Sequence, residues 1–180
     1  MDDGASSYHR FLNGDEKAFE EIVMLYSDSL VCFAYCFVHD SETAEDIAAD
    51  TFAALLVKRR RFAPKALFKT YLYRIARNKC MDYLRKARKF CPLNDAETLL
   101  SSDSEREFFR RERDRKLYLC MQNLPAQYRD VLYLVYIDGF SVPEVCTIMG
   151  KNAKQVYNLL ARAKAELKKL LINEGLDENL

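Results

Sequence analysis

The sequence has few of the features that bind metals or nucleotide phosphates. Its six cysteines form no CxxC pair, and its only two histidines, His9 and His39, lie far apart. A zinc site needs its ligands in closer sequence clusters than these. A glycine-rich phosphate loop and a nucleophile-base motif are also missing. We therefore predict no metal, no cofactor, no disulfide and no enzymatic activity.

A long hydrophobic run is missing as well. The longest apolar stretch, Leu30–Val38, has nine residues, whereas a helix that spans a bilayer needs about 20. The N-terminus reads Met-Asp-Asp-Gly-Ala-Ser-Ser and has no apolar run behind it, so we expect neither a secretory signal nor a transit peptide. These absences predict a cytoplasmic protein with no membrane span of its own.

The charges are abundant but strongly segregated along the chain. Residues 1–57 carry twelve acids and two bases, a net charge of −10, whereas residues 58–89 carry thirteen bases and one acid, a net charge of +12. Residues 90–180 have a net charge of −1, so the total is +1. A basic block with a single acid favours a polyanionic partner. The acidic block before it indicates a second, basic partner.

Apolar residues recur every three or four positions, and no strand-like alternation competes with them. This periodicity predicts an all-α protein. Between Lys89 and Ser104 the period is lost and Pro, Asn, Asp and Ser accumulate, which is typical of a linker. We predict two small helical domains joined by this linker: residues 1–88, then the linker 89–104, then residues 105–180.

Three helices are predicted in the first domain. The first runs from about Asp15 to Val38, the second follows the capping residues Asp40 and Ser41, and the third follows a loop interrupted by Pro64. In the second domain, a helix opens at Ser104, and another begins at Pro125 and ends before Gly139. The core face predicted for this last helix comprises Tyr128, Val131, Leu132, Val135 and Tyr136.

The second domain ends in a pattern typical of a helix-turn-helix. Ser141-x-x-Glu144 is a capping box that opens a helix of about two turns, which ends at Gly150. Asn152 follows as the cap of a longer helix. Two helices joined by a short turn around a glycine predict a helix-turn-helix whose second helix reads DNA. An ordinary αα-hairpin has the same pattern.

The third helix carries cations and hydrogen-bonding side chains opposite its apolar face. Such a surface suits phosphates and base edges, because lysine and arginine neutralise phosphate while amides, carboxylates and aromatic rings bind or stack unpaired bases. The members of this surface are Thr70, Tyr73, Arg74, Arg77, Asn78, Asp82 and Arg85.

Four segments together resemble a known family. They are AEDIAADTF (residues 44–52), YLYRIARNKCMDYLR (71–85), LPAQYRDVLYLVYIDGFSVPEVCTIMG (124–150) and VYNLLARAKAEL (156–167). In order and spacing they resemble conserved regions two and four of extracytoplasmic-function (ECF) sigma factors, and the resemblance covers nearly the whole chain. It implies an alternative sigma factor that binds core RNA polymerase and directs transcription from specific promoters.

The resemblance also implies roles for residues in the first domain. The loop 58–68 would help to melt promoter DNA, and the helix 71–88 would read the minus-ten element, with Phe62, Asn78 and Asp82 near a flipped-out base. The residues implied to contact the polymerase clamp helices are Asp46, Ile47, Asp50, Thr51 and Phe52. The residues predicted to contact DNA are Phe62, Lys69, Tyr73, Arg74, Arg77, Asn78, Lys79, Asp82 and Arg85.

In the second domain the resemblance implies that the final helix reads the minus-thirty-five element. This chain departs from the family pattern at Tyr157 and Leu159, where basic residues are common, and at Tyr71, where tryptophan is usual. These departures predict an unusual promoter. The predicted DNA contacts on this helix are Lys154, Gln155, Tyr157, Asn158 and Arg162.

The family also implies a further partner, an anti-sigma factor that covers the polymerase-binding and DNA-binding faces. Two other classes of protein fit part of the pattern. One is a stand-alone helix-turn-helix regulator that binds a palindromic operator as a dimer. The other is a protein-interaction module that binds a regulator through its acidic first half.

Overall fold

Every element that the structure describes is helical, which confirms the predicted all-α class. The computed structural model describes residues 3–58, 67–90 and 119–173. Its helices are α1 (Asp3–Leu12), α2 (Lys17–Val38), α3 (Ser41–Lys58), α4 (Phe68–Phe90), α5 (Ala126–Leu132, continued by a π-helical turn at Tyr133–Ile137), α6 (Val142–Met149) and α7 (Ala153–Asn173).

The chain divides into two compact units. One contains residues 1–94 with 146–150, and the other contains residues 95–145 with 151–180. The first break falls inside the predicted linker 89–104, but the grouping of 146–150 with the first unit was not predicted. The exact domain limits therefore stay predictions, since most of the linker lies outside the described residues.

Helix α2 is the central helix of the first unit and packs against α1, α3 and α4. By length and composition alone it could cross a membrane. Its buried side chains, however, recur every three or four residues and face these neighbours, which is how a core helix of a globular domain packs. They are Ala18, Ile22, Tyr26, Leu30, Phe33, Ala34, Cys36 and Phe37.

Helix α1 was not predicted from the sequence, because only two large apolar residues mark its inner side. Tyr8 and Phe11 are both buried, and the Tyr8 ring stacks on Phe68 with 4.8 Å between ring centroids. Gly4 lies directly against the Tyr26 ring, where a Cβ atom would collide with it. The aromatic contacts fix α1 onto α2 and α4.

Burial, with a smaller contribution from Tyr71, raises the pKa of Tyr8 to about 12.

Polar contacts add to the attachment of α1. Arg10 forms ion pairs with Asp15 at 2.6 Å and Glu21 at 3.0 Å, and the Ser7 hydroxyl donates to Glu21 at 2.7 Å. The hydrogen bond from Arg10 lowers the pKa of Asp15, and the hydrogen bonds from Ser7 and Arg10 lower the pKa of Glu21. These pairs are exposed, so most of the stabilisation of α1 comes from its buried rings.

The turn between α2 and α3 has the predicted cap. His39 ends α2 in the left-handed conformation, with φ of 57°, and its N–H donates to the Tyr35 carbonyl at 3.0 Å. The Thr43 N–H then donates to Asp40 Oδ2 at 2.8 Å. Hydrogen bonds from the Thr43 side chain and backbone lower the pKa of Asp40. This cap supplies an acceptor for a donor that helix α3 leaves free at its first turn.

In the second unit, Tyr136 of the predicted core face is exposed instead. The helix after Pro125 contains a π-helical turn, in which the Asp138 N–H donates to the Tyr133 carbonyl at 3.1 Å. Because this turn is wider, the side chains that follow it point in a different direction from that expected in a regular α-helix. Tyr136 was predicted in the core and is 56% exposed, with Lys164 Nζ 4.9 Å from its ring centroid.

Candidate nucleic-acid and protein interfaces

The outer face of α3 is acidic in its first three turns. Glu42, Glu45, Asp46 and Asp50 are exposed. The face becomes apolar near the end of the helix, where Leu56 and Val57 are 41% and 84% exposed. An acidic surface with an apolar end suits a basic protein partner that also buries apolar area.

Two of the five predicted polymerase contacts lie on this face. Asp46 and Asp50 are exposed, but Ile47, Thr51 and Phe52 are at most 7% exposed. The Thr51 hydroxyl donates to the Ile47 carbonyl at 2.7 Å, so it is satisfied inside its own helix. These three side chains face the core, because they lie opposite the acids in the helical period, and their contact with polymerase stays a prediction.

Helix α4 presents a mixed polar face. Arg74, Asn78, Asp82 and Arg85 are exposed and follow at spacings of four, four and three, so they line one side of the helix. Arg85 pairs with Asp82 at 3.1 Å. Three further predicted DNA contacts are partly buried at the edges of this face: Lys69, Arg77 and Lys79.

Two residues assigned to this surface from the sequence are in the core instead. Tyr73 is 0% exposed and Thr70 is 2% exposed. The Tyr73 ring contacts Phe33 with 5.2 Å between centroids, and Lys69 Nζ lies 5.5 Å from its centre. Tyr73 lies beside Leu72 on the inner side of the helix, so its predicted placement on the exposed surface was wrong. Phe62 lies outside the described residues.

An ion pair joins the two predicted interfaces of the first unit. Lys79 Nζ of α4 lies 2.9 Å from Asp50 Oδ2 of α3. Sequence reasoning assigned Lys79 to DNA and Asp50 to polymerase without relating them, because a separation of 29 residues gives no local signal. The acidic and basic faces are therefore adjacent at this point.

Helix α6 begins with the predicted box. Glu144 Oε2 accepts hydrogen bonds from the Ser141 N–H at 2.8 Å and from the Ser141 hydroxyl at 2.5 Å. The helix ends before Gly150, whose φ of 64° allows the chain to turn sharply into α7. The short helix and turn of the predicted motif are therefore present.

Helix α7 also begins with a reciprocal cap. The Gln155 N–H donates to Asn152 Oδ1 at 2.9 Å, and the Asn152 N–H donates to Gln155 Oε1 at 3.0 Å. This confirms Asn152 as the cap and shows a second function for Gln155, which sequence reasoning assigned to base recognition. Bidentate pairing of Gln155 with adenine would compete with this cap, since the side-chain oxygen that would accept from the base already accepts from the Asn152 N–H.

The rest of α7 has the predicted division of faces. Val156, Leu160 and Ala163 are at most 9% exposed, as predicted for the inner face. Leu159, where the family commonly has a basic residue, is partly buried. The exposed polar and aromatic residues in its first three turns are Lys154, Gln155, Tyr157, Asn158 and Arg162. They place two cations, two amides and an aromatic ring on the solvent side of one helix.

Comparison with known proteins connects these surfaces to one family. The family model described as Sigma-70 region 2 matches residues 22–90, and that described as Sigma-70, region 4 matches residues 114–167. Helix α1 precedes the first match. The first match contains helices α3 and α4, and the second contains helix α6 and helix α7 as far as residue 167, so both include the faces described above.

Full-length relatives extend this agreement. The chain is 33% identical over 171 residues to the RNA polymerase sigma factor NccH of Alcaligenes xylosoxydans xylosoxydans, covering 90% of this chain and 91% of that protein. It is 32% identical over 173 residues to the ECF RNA polymerase sigma factor SigW of Bacillus subtilis, covering 88% and 91%.

A solved structure gives the same fold. The sigma factor RpoE, crystallised with the anti-sigma factor NepR from Bartonella quintana, superposes with a TM-score of 0.67 at 22% identity, covering 86% of this chain and 97% of that chain. The family matches and the two full-length relatives agree on a single assignment. The chain belongs to the extracytoplasmic-function group of the sigma-70 family of RNA polymerase sigma factors.

Proposed function

We propose that this sigma factor binds core RNA polymerase through the outer face of α3 and contacts promoter DNA through α4 and α7. The observation that carries the proposal is the separation of charge within one small unit: α3 presents exposed acids, whereas α4 presents exposed cations and the amide of Asn78. Opposite charges on neighbouring helices suit two partners of opposite charge at the same time.

In this proposal the acids of α3 contact polymerase directly. Asp46 and Asp50 bind basic groups of the polymerase clamp, and the exposed apolar Val57 adds buried area at the end of the helix. Ile47, Thr51 and Phe52 act indirectly, because their packing fixes the orientation of the acids.

Helix α4 supplies the contacts to the minus-ten element. The cations Arg74 and Arg77 bind phosphates, and Asn78 and Asp82 bind the edge of an unpaired base. Helix α7 supplies the contacts to the upstream element, where Lys154 and Arg162 bind phosphates and Asn158 and Tyr157 contact bases.

The chain acts by recognition rather than by catalysis, and it works in the cytoplasm, where core polymerase is found. In the part of the chain that the structure describes, no group of three or more metal-ligating side chains is present. An anti-sigma factor is proposed as a third partner, by analogy with the complex of RpoE and NepR. It would cover the same faces of α3 and α4.

Promoter binding that depends on polymerase tests this function. The chain is added to promoter fragments with and without core polymerase, and protected DNA is mapped. We expect protection of two asymmetric elements when both proteins are present and little protection by the chain alone. Protection of a palindrome by the chain alone would instead indicate a dimeric helix-turn-helix regulator.

Replacing Asn78 with alanine is expected to slow open-complex formation more on duplex promoters than on templates that are already melted. The reason is that only the duplex requires a base to be unstacked, which costs a few kcal/mol that the Asn78 contact offsets. Open-complex rates are measured on both templates by stopped-flow fluorescence. Arg74→Ala serves as the matched control, because loss of a phosphate contact should weaken binding to both templates by the same factor. Equal defects of Asn78→Ala on the two templates would contradict a role in melting.

Replacing Asn158 with alanine is expected to remove the preference for one base of the upstream element. A bidentate amide contact to adenine supplies roughly 1–3 kcal/mol of discrimination. Active promoters are selected from a library randomised upstream, with wild type and Asn158→Ala in parallel.

Gln155→Glu is the matched comparison for that selection. The glutamate keeps an acceptor for the Asn152 N–H, so the cap of α7 survives. Unchanged base preferences in this variant would identify Gln155 as a positioning residue. Unchanged preferences in Asn158→Ala would mean that Asn158 does not read a base.

A further inference from the structure

We propose that Asp50 restrains Lys79 in the free chain, and that polymerase bound at the outer face of α3 releases Lys79 to contact nucleic acid. This inference rests on the function proposed above. It assigns Asp50 a regulatory role in addition to its contact with polymerase. It also makes Lys79 a DNA contact that becomes available on assembly.

The geometry of the pair is suited to such an exchange. Lys79 Nζ lies 2.9 Å from Asp50 Oδ2 and bridges two helices that pack together in the first unit. The two partners differ in exposure: the Asp50 side chain is 70% exposed, whereas that of Lys79 is 28% exposed. An incoming cation can therefore reach the carboxylate without first displacing neighbouring side chains.

Lys79 is placed where its release would matter. It directly follows Asn78, which lies on the exposed polar face of α4 together with Arg74 and Asp82. A lysine held by a carboxylate contributes little to phosphate binding, because its charge is already balanced. A released lysine adds a phosphate contact next to the residue proposed to bind the unpaired base.

Linkage requires the effect to operate in both directions. If a basic group of polymerase takes the place of Lys79 on Asp50, DNA binding becomes tighter, and DNA held by Lys79 equally favours polymerase binding at Asp50. Exposed ion pairs are weak, so the expected coupling is small, about fivefold in affinity at most. Such a coupling would contribute to keeping the free chain off DNA.

A mutant cycle on the full chain tests the restraint. The affinity of the free chain for a labelled single-stranded oligonucleotide of mixed sequence is measured by fluorescence anisotropy at low salt. Asp50→Asn is compared with Asp46→Asn, which removes the same charge from the same exposed face one turn earlier. Both substitutions are repeated in a Lys79→Gln background.

We expect Asp50→Asn to tighten binding about two- to fivefold more than Asp46→Asn, and the difference to vanish when Lys79 is replaced. The slope of log affinity against log salt should steepen by about 0.7, the value for one added phosphate contact on a single strand. Equal gains for the two asparagine variants, or a difference that persists in the Lys79→Gln background, would overturn the restraint. Absence of binding by every variant at low salt would overturn it as well.

A second measurement tests release by polymerase. In the holoenzyme on a pre-melted template, Lys79→Gln should weaken DNA retention. The expected factor is the ratio of the DNA affinities of Asp50→Asn and Asp50→Asn/Lys79→Gln, measured with the free chain. An unchanged retention would overturn the release.

Transcription by the wild-type chain with core polymerase is the separate check of the proposed function. If the wild type transcribes but the mutant cycle shows no coupling, only the present inference fails. If the cycle shows coupling but the wild type does not transcribe, the proposed function fails and release by polymerase fails with it.

Discussion

Replacing Tyr73 with alanine is expected to lower the free energy of unfolding by about 3–5 kcal/mol, since large-to-small changes of buried aromatic residues lose both transfer energy and packing. Tyr73 is 0% exposed and contacts Phe33 in the core of the first unit. Thermal unfolding of the full chain, followed by circular dichroism, should show the midpoint of the first unit lowered by roughly 10 °C or more.

Tyr73→Phe is the matched control, because it keeps the ring and removes only the hydroxyl. We expect this variant to retain most of the stability and all of the DNA affinity. If Tyr73 instead contacted DNA from an exposed face, alanine would leave the unfolding midpoint unchanged and weaken DNA binding alone. That outcome would contradict the packing of α4 described above.

Reversing the charge of both Asp46 and Asp50 to lysine is expected to weaken binding to core polymerase by at least about tenfold, because like charges placed against each other at an interface cost several kcal/mol. Both side chains are exposed, and the ion pair of Asp50 with Lys79 is exposed and therefore weak, so the fold should be retained. Affinity is measured by titrating labelled core polymerase, and the unfolding midpoint is recorded for each variant.

Asp28→Lys provides the control for net charge when it is compared with the single variant Asp46→Lys, which changes the net charge by the same amount and should weaken polymerase binding. Asp28 is an exposed acid of the first unit on α2 rather than on α3. We expect its reversal to leave polymerase affinity within about twofold of the wild type, as is usual for a charge outside the contact. Equal losses for Asp28→Lys and Asp46→Lys would mean that polymerase responds to overall charge, not to the face of α3.

Much of the fold could be predicted because the relevant signals are local. The periodic apolar residues of α2 and α3, the caps at Asp40 and Asn152 and the capping box at Ser141 all act between residues that are close in the sequence. A helix with a cap and a full apolar face is therefore visible in the sequence alone.

Other features depend on contacts between distant residues. Helix α1 has only ten residues, and its apolar residues Tyr8 and Phe11 are buried by rings of α2 and of α4, which lies far away in the sequence. Tyr136 was misplaced because the π-helical turn at Tyr133 shifts the period by one residue, and nothing in the local sequence announces that shift.

The candidate site was predictable in position but less so in its individual residues. An amphipathic tyrosine fits either face of a helix, so the sequence could not decide that Tyr73 packs inward. The amide of Gln155 can pair with adenine or cap a helix, and the sequence does not distinguish these roles. The pair of Asp50 and Lys79 depends on how α3 packs against α4, which the linear pattern does not contain.

Run-off transcription tests the central claim most directly. Purified bacterial core polymerase is combined with the chain on a DNA library randomised over both promoter elements, and transcripts are sequenced. We predict discrete transcripts that require both proteins, share two spaced sequence elements and are lost with the Asp46→Lys/Asp50→Lys variant. The absence of chain-dependent transcripts, when a control sigma factor is active with the same polymerase, would contradict the assignment of this chain as a promoter-specific sigma factor.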